Sequence, residues 1–167
     1  MHYKNTILIT VPGHPRPQPR PRIRGSRAVS NADENAKLWA NFVRNAAVSV
    51  RESLGGEKVV REMIGDGPLY LEAHFRIPTK DEERWENWHW EMPPDFDNLV
   101  KLAVDNTLID PKSPGVGLMG TGDNRIALSY ISKIWTSPKK AGATLRLSRL
   151  LDRKPNTIDD IRPKWLA

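Results

Sequence analysis

The sequence predicts an α+β protein in which one mixed sheet is covered by two helices, in the order β-α-β-α-β-β. Apolar residues alternate with polar ones in several short segments, which is typical of strands that bury one face. In two other segments they recur at helical spacing. Because these segments follow one another within 167 residues, the length of one domain, we expect a single layered core. This domain is predicted to span residues 1–150, with residues 151–167 as a tail.

The first strand and the first helix are each defined by composition and by clear limits. TILITV, residues 6–11, is β-branched and apolar, and it ends at Pro12 and Gly13. The helix lies in AVSNADENAKLWANFVRNAAVSVRESLGG, where the pair Gly55 and Gly56 stops it. The stripe expected to face the core consists of Leu38, Phe42, Ala46, Val50 and Leu54, with Trp39 and Val43 beside it.

The second half of the chain adds three strands and one helix. GPLYLEAHFRIP predicts a strand at 69–77, with Glu72 and His74 on its polar face. The second helix is predicted at 97–108, followed by a pair of strands at 125–136 and 143–150. TKDEERWENWHWEMPP is expected to be an inserted loop, and its tryptophans leave three roles open: stacking on bases, anchoring a partner, or covering the core edge.

The positive charge of the chain is concentrated at its start. The net charge is +6, and residues 1–30 contain six basic residues and no acid, whereas the remaining 20 basic residues equal the 20 acidic ones. This distribution favours a polyanionic partner, most simply nucleic acid, although a solvated basic arm has the same composition. The absence of cysteine excludes disulfides and thiolate chemistry. The first apolar run is too short for a signal peptide or a membrane span, so we expect a cytoplasmic protein without a membrane partner.

A proline-rich basic segment, HPRPQPRPRIRGSR, follows the first strand. Its prolines, at positions 15, 17, 19 and 21, preclude a helix and favour an extended, polyproline-like course. The arginines that alternate with them are held on a stiff backbone. We therefore predict a loop that lies across the protein and contacts DNA phosphates through Arg16, Arg20, Arg22 and Arg24.

The segment PPDFDNLVK, residues 93–101, gathers carboxylates at the start of the second helix. On that helix Asp97, Lys101 and Asp105 share one face, and Asp95 precedes it, beside Asp97. Two neighbouring carboxylates repel unless a cation lies between them, and Mg²⁺ or Mn²⁺ prefers such oxygen ligands. Asp123 begins a later strand and is expected to enter the same pocket. For the first two aspartates alone, helix capping is the structural alternative.

Two stretches together resemble a known family. DFDNLVKLAVD followed by GDNRIALSYISK is similar to the RusA family of Holliday-junction resolvases. The family signature is Asp-x-Asp-Asn-x-x-Lys at a helix start. A later Asp begins a strand, with an apolar residue three positions after it and a Lys ten positions after it. In this chain the signature falls on Asp95, Asp97, Asn98, Lys101, Asp123, Ile126 and Lys133. The opening strand and its proline-rich loop also resemble the start of the family.

The resemblance implies a homodimeric, Mg²⁺-dependent endonuclease, with Mn²⁺ as an alternative ion, that acts on branched DNA in recombination and repair and is associated with phage. It implies that Asp95, Asp97 and Asp123 hold the metal, that Lys101 assists catalysis, and that Lys133 contacts DNA. Two alternatives remain open from the residues. One is a nuclease of the same fold that cuts flaps or forks, and the other is a non-catalytic DNA-binding module whose acids are helix caps and solvated charges.

Overall fold

A computed structural model of the chain describes residues 4–19, 22–24, 27–29, 33–65, 67–81, 94–108, 117–120 and 123–150. The strands in this part are β1 (Lys4–Pro12), β2 (Arg22–Arg24), β3 (Arg27–Val29), β4 (Leu69–Pro78), β5 (Ile126–Thr136) and β6 (Gly142–Arg149). The helices are α1 (Glu34–Ser53), α2 (Glu57–Ile64) and α3 (Phe96–Thr107), with 3₁₀ turns at Asp123–Arg125 and Pro138–Lys140. The tryptophan-rich insertion and the predicted tail lie outside the described residues.

Four strands form one mixed sheet, which confirms the predicted α+β class. The strand order is β1-β6-β4-β5, in which β4 and β5 are parallel and the other neighbours are antiparallel. The short strands β2 and β3 pair in a separate two-stranded ribbon, in which β2 lies within the segment expected to be a loop and β3 begins at its last residue. The described residues contain three helices where the sequence predicted two, because the short α2 was not recognised. It buries only Val60 and Ile64, too few positions to define a helical stripe.

Consecutive strands are not always neighbours in this sheet. β5 and β6 are joined by the 3₁₀ turn, but β4 lies between them and pairs with both. Alternating residues show that each segment buries one face. They do not specify the partner strand, which depends on how the buried faces combine in three dimensions.

The core-facing side of α1 is rotated from the predicted stripe. Ala36, Trp39, Val43 and Ala47 are the buried residues of this helix. Leu38 and Phe42, which were expected in the core, are 53% and 39% exposed. Residues one position apart differ by about 100° around a helix, so two adjacent apolar stripes compete. The rotation observed here buries Trp39, the largest apolar side chain of the helix.

The β4–α3–β5 segment is a parallel crossover, and it determines where the acidic helix start lies. Because β4 and β5 are parallel, α3 returns the chain from their C-terminal ends to their N-terminal ends. Its start is fixed to β5, where the Lys133 ammonium donates a hydrogen bond to the carbonyl of Pro94 at 3.0 Å. Its end is fixed by a 2.9 Å hydrogen bond from the amide of Leu118 to the carbonyl of Thr107.

Candidate functional site

The two aspartates expected to bind metal lie at the start of α3 and are exposed. Asp95 occupies the N-cap position, with φ −59° and ψ 139°, and its side chain makes no capping hydrogen bond. Asp97 lies in the first turn. By contrast, the N-cap of α1, Asp33, accepts a 3.0 Å hydrogen bond from the amide of Asn35. A side-chain capping hydrogen bond is therefore present at the start of α1 and absent at Asp95.

Lys133 holds the segment that carries Asp95. Its side chain starts from β5 at the position level with the buried Phe75, so it lies on the helix-covered side of the sheet. Burial lowers the pKa of Lys133, and the negative charge of Asp95 opposes this shift. The structure thus gives Lys133 a positioning contact with the backbone of Pro94. Its contact with DNA remains a prediction.

Lys101 lies one turn after Asp97 on the exposed side of α3. Its ammonium is 3.2 Å from the carboxylate of Asp105, and the two side chains are 55% and 34% exposed. An exposed ion pair of this kind contributes about 0.3–0.5 kcal/mol. The ammonium can therefore exchange Asp105 for a phosphate oxygen at little cost, and the shared face predicted for these residues is present.

The proline-rich basic loop is attached to the same helix turn. The amide of Gln18 donates a 3.0 Å hydrogen bond to the carbonyl of Asn98, in the first turn of α3. Arg16 lies two residues before this contact and is half-buried. Burial of His14 lowers its pKa, and the positive charge of Arg16 lowers this pKa further. A loop that lies across the protein was the sequence-based prediction, and this contact agrees with it for residues 13–19.

The other arginines of the segment are described less completely. Arg22 and Arg24 belong to β2, of which the structure describes the backbone, and Arg20 lies outside the described residues. Their assignment to DNA contact stays a prediction from the sequence.

Asp123, the third aspartate expected to bind metal, lies at the other end of β5 from the start of α3. It begins the 3₁₀ turn that leads into β5, whereas Lys133, which contacts the Pro94–Asp95 corner, lies near the other end of the strand. A strand rises about 3.3 Å per residue, so Ile126 and Lys133 are about 23 Å apart. Ligands lie only about 2.1 Å from a bound Mg²⁺. Within one chain, Asp123 therefore lies at the opposite end of β5 from the Pro94–Asp95 corner, and a metal site shared by Asp95, Asp97 and Asp123 stays a prediction.

The donor atoms at the α3 start fit a hard divalent cation only in part. The available ligands are carboxylate oxygens, and the chain has no cysteine, so Mg²⁺ or Mn²⁺ suits this chemistry better than a thiolate-binding metal. Among the described residues, however, there is no group of three or more acidic, histidine or cysteine side chains that could hold a metal ion.

A second polar network lies on the open face of the sheet, away from α3. His74 is 2.7 Å from the hydroxyl of Ser132 and 2.8 Å from the carboxylate of Glu72, which also accepts a 3.2 Å hydrogen bond from Arg146. These residues alternate with the buried positions of their strands, which places them on the opposite side from Lys133. The network is not part of the acidic site.

Gly120 and Arg125, which lie on either side of Asp123 in the sequence, are both held by contacts to the α2 region. The Glu57 carboxylate accepts hydrogen bonds from Arg61 at 2.7 Å and from the amide of Gly120 at 3.2 Å. The hydrogen bond from Arg61, followed by that from Gly120, lowers the pKa of Glu57. Arg125 donates to the carbonyls of Gly65 and Gly67, each at 2.6 Å. These contacts hold Gly120 and, at the start of β5, Arg125.

The fold is an α+β domain with exposed carboxylates at a helix start and a basic loop bound to the same turn. This arrangement, in which acidic side chains face a polyanion, is typical of nucleases. Residues 12–108 match the family model described as endodeoxyribonuclease RusA. Because this match spans more than half of the chain, the chain belongs to the RusA family of endonucleases. A search of curated proteins found no match.

The matched region has a definite limit. It contains Asp95, Asp97 and Lys101 but ends before Asp123 and Lys133. The roles of the last two residues therefore rest on the sequence resemblance and on geometry. None of the helices in the described part of the chain has the length and hydropathy needed to span a membrane.

Proposed function

We propose that this chain is a metal-dependent endodeoxyribonuclease that resolves Holliday junctions or other branched DNA by paired phosphodiester hydrolysis. The observation that carries this proposal is the 3.0 Å hydrogen bond between Gln18 and Asn98, which holds the basic loop against the helix turn that bears Asp95 and Asp97. This contact supports a site in which Arg16, two residues before Gln18, would attract DNA close to the acids that would hold metal. Family membership supports the endonuclease activity. The compartment that fits a DNA substrate is the cytoplasm of a bacterial or phage-infected cell.

The residues proposed for catalysis have distinct tasks. Asp95 and Asp97 would hold Mg²⁺, which when bound activates a water and offsets charge on the phosphate. Lys101, one turn further along the exposed face, would place its ammonium against the charge that develops on the phosphate oxygens. Lys133 is a positioning residue, because its hydrogen bond to Pro94 fixes the backbone beside Asp95.

The proposed third ligand requires a second copy of the chain. Asp123 and the Asp95 corner lie at opposite ends of β5, so Asp123 of the partner subunit would complete each site. Two-fold symmetry then forms two equivalent sites, each with acids from both copies. Two sites related in this way suit the two strands that must be cut in a four-way junction.

The proposed function is tested by cleavage of a synthetic four-way junction with and without Mg²⁺, beside duplex, flap and fork substrates of the same sequence. We expect paired nicks in the junction that depend on the ion. Preferential cutting of flaps or forks would show that the chain is a flap- or fork-specific nuclease of the same fold. Sequence-independent binding without cleavage, unchanged by Mg²⁺ or Mn²⁺, would show a non-catalytic DNA-binding module instead.

The basic loop gives a separate prediction about binding. Arg16→Ala should weaken junction binding and reduce the slope of log K against log salt by about one, because each neutralised phosphate releases counterions. The measurement is a salt titration of DNA binding in Ca²⁺ or EDTA, where cleavage does not occur. Lys58→Ala, at an exposed position of α2, is the matched control. An unchanged slope for the arginine variant would argue against the role of the loop.

A further inference from the structure

The connection between β5 and β6 is basic and exposed. It contains the 3₁₀ turn Pro138–Lys140, whose three residues are all exposed, although Ser137 immediately before it is buried. The amide of Lys140 donates a 3.0 Å hydrogen bond to the carbonyl of Ser137, and the guanidinium of Arg76 donates another of 3.0 Å to the carbonyl of Lys140. The backbone of this turn is thus closed on itself and tied to β4, while its lysines remain exposed.

Two neighbouring segments hold the turn on either side. The amide of Gly13, directly after β1, donates a 3.1 Å hydrogen bond to the carbonyl of Ala141. The amide of Thr79, directly after β4, donates one of 2.9 Å to the carbonyl of Thr136 at the end of β5. A backbone that is already fixed in this way loses little further freedom when its side chains bind a ligand.

Two lysines at this edge of the sheet carry positive charge that is not offset locally. Lys139 belongs to the turn, and Lys80 follows the hydrogen-bonded Thr79. Both lysines are exposed, and neither forms an ion pair with a residue that the structure describes. By contrast, Lys37 on α1 and Lys101 on α3 each pair with an acid about one turn away. Unpaired charges of one sign at one edge attract a polyanion.

This basic edge lies at the same end of the sheet as the start of α3. The parallel strands β4 and β5 both end there, and the loop 13–19, which begins beside the turn, is bound to Asn98 in the first turn of α3. Lys139 follows Lys133, which contacts Pro94, by six positions in the sequence, so their Cα atoms are at most about 22 Å apart. Duplex DNA rises 3.4 Å per base pair, so this distance corresponds to about six base pairs.

We infer that Lys139 and Lys80 form a second DNA-binding surface, which holds the phosphate backbone of one duplex arm about six base pairs from the phosphate that is cut. This inference rests on the proposed function, because it adds an arm-binding surface to the proposed cleavage site. A lysine ammonium acts on phosphates as a point charge and reads no base edge. The surface should therefore bind arms of any sequence equally.

The first test is a salt titration of four-way junction binding in EDTA, where cleavage does not occur. Lys139→Ala and Lys80→Ala should each weaken binding roughly fivefold at about 0.1 M salt and reduce the slope of log K against log salt by about one. Lys58→Ala removes the same charge from an exposed position of α2, and it should leave both quantities unchanged.

The second test locates the contact on the DNA. A neutral methylphosphonate replaces one phosphate at a time along one arm of the junction, and binding is measured for the wild type and for Lys139→Ala. Two changes that remove the same contact are not additive. We therefore expect that the methylphosphonate about six base pairs from the cut weakens binding of the wild type but not of the variant.

Two results would overturn the inference. One is a salt slope for both lysine variants equal to that of Lys58→Ala, and the other is a methylphosphonate profile that is the same for Lys139→Ala and the wild type. Since binding is measured without an activating metal, a chain that shows the expected slopes but never cuts DNA would contradict only the proposed function. A chain that cuts junctions with unchanged slopes would contradict only the arm-binding surface.

Discussion

Asp97→Asn is expected to lower the rate of junction cleavage about a thousandfold, equivalent to roughly 4 kcal/mol of transition-state stabilisation. The amide is similar in size to the carboxylate but carries no charge, so it binds a divalent cation poorly. Asp97 is exposed in the first turn of α3 and is not one of the buried residues of that helix. Binding of the junction should be retained or become tighter, because one negative charge near the phosphates is lost. Asp95→Asn should behave in the same way.

Asp33→Asn provides the control for this substitution. Asp33 is also exposed at a helix start, but it caps α1, and asparagine is as effective an N-cap as aspartate. Its cleavage rate should stay within about twofold of wild type. The assay compares single-turnover cleavage with binding measured without activating metal. Cleavage at wild-type rates by both Asp95→Asn and Asp97→Asn would contradict the proposed metal site.

Mixing two inactive variants, Asp97→Asn and Asp123→Asn, is expected to restore cleavage. Each variant alone should lose about a thousandfold in rate, as for other metal-ligand losses. In a mixed dimer with shared sites, one site carries both substitutions and the other carries neither. About a quarter of all sites in an equal mixture are then intact, if the subunits exchange at random.

The form of the restored activity is informative as well. A mixed dimer has one working site, so it should nick one strand of the junction and produce few paired cuts. Nicks and paired cuts are distinguished on denaturing and native gels of the same reaction. If instead each site took all its acids from one chain, every site of the mixed dimer would carry one of the two substitutions. Absence of any recovery after co-expression of the two variants would therefore exclude sharing of Asp123 between subunits.

Local patterns predicted the elements of the fold more accurately than their arrangement. The β-branched, apolar composition of residues 6–11 and the alternation in residues 69–77 correctly placed β1 and β4. The same method assigned Leu38 and Phe42 to the core, where Trp39 and Val43 lie instead. Two apolar stripes on one helix are equally periodic, and only the shape of the facing sheet selects between them.

At the candidate site, too, the sequence predicted the residues but not their contacts. A carboxylate pair before a helix can be read from PPDFDNLVK, but capping was an equally simple explanation for it. In the structure the side chain of Asp95 makes no capping hydrogen bond, and metal binding by this pair stays a prediction. Lys133 was expected to contact DNA, and its hydrogen bond to Pro94 depends on a contact between residues 39 positions apart. Sequence spacing gives no information on contacts of that range.

The sequence by itself determined the chemistry of this protein: carboxylates at the start of a helix, arginines on a proline-stiffened segment, and the family to which the chain belongs. Only the tertiary structure decided which of these groups meet. The parallel arrangement of β4 and β5 sends α3 back along the sheet, and this places Asp95 and Asp123 at opposite ends of β5. The direction of a strand relative to its neighbour is a property of the folded sheet and leaves no mark on residue spacing.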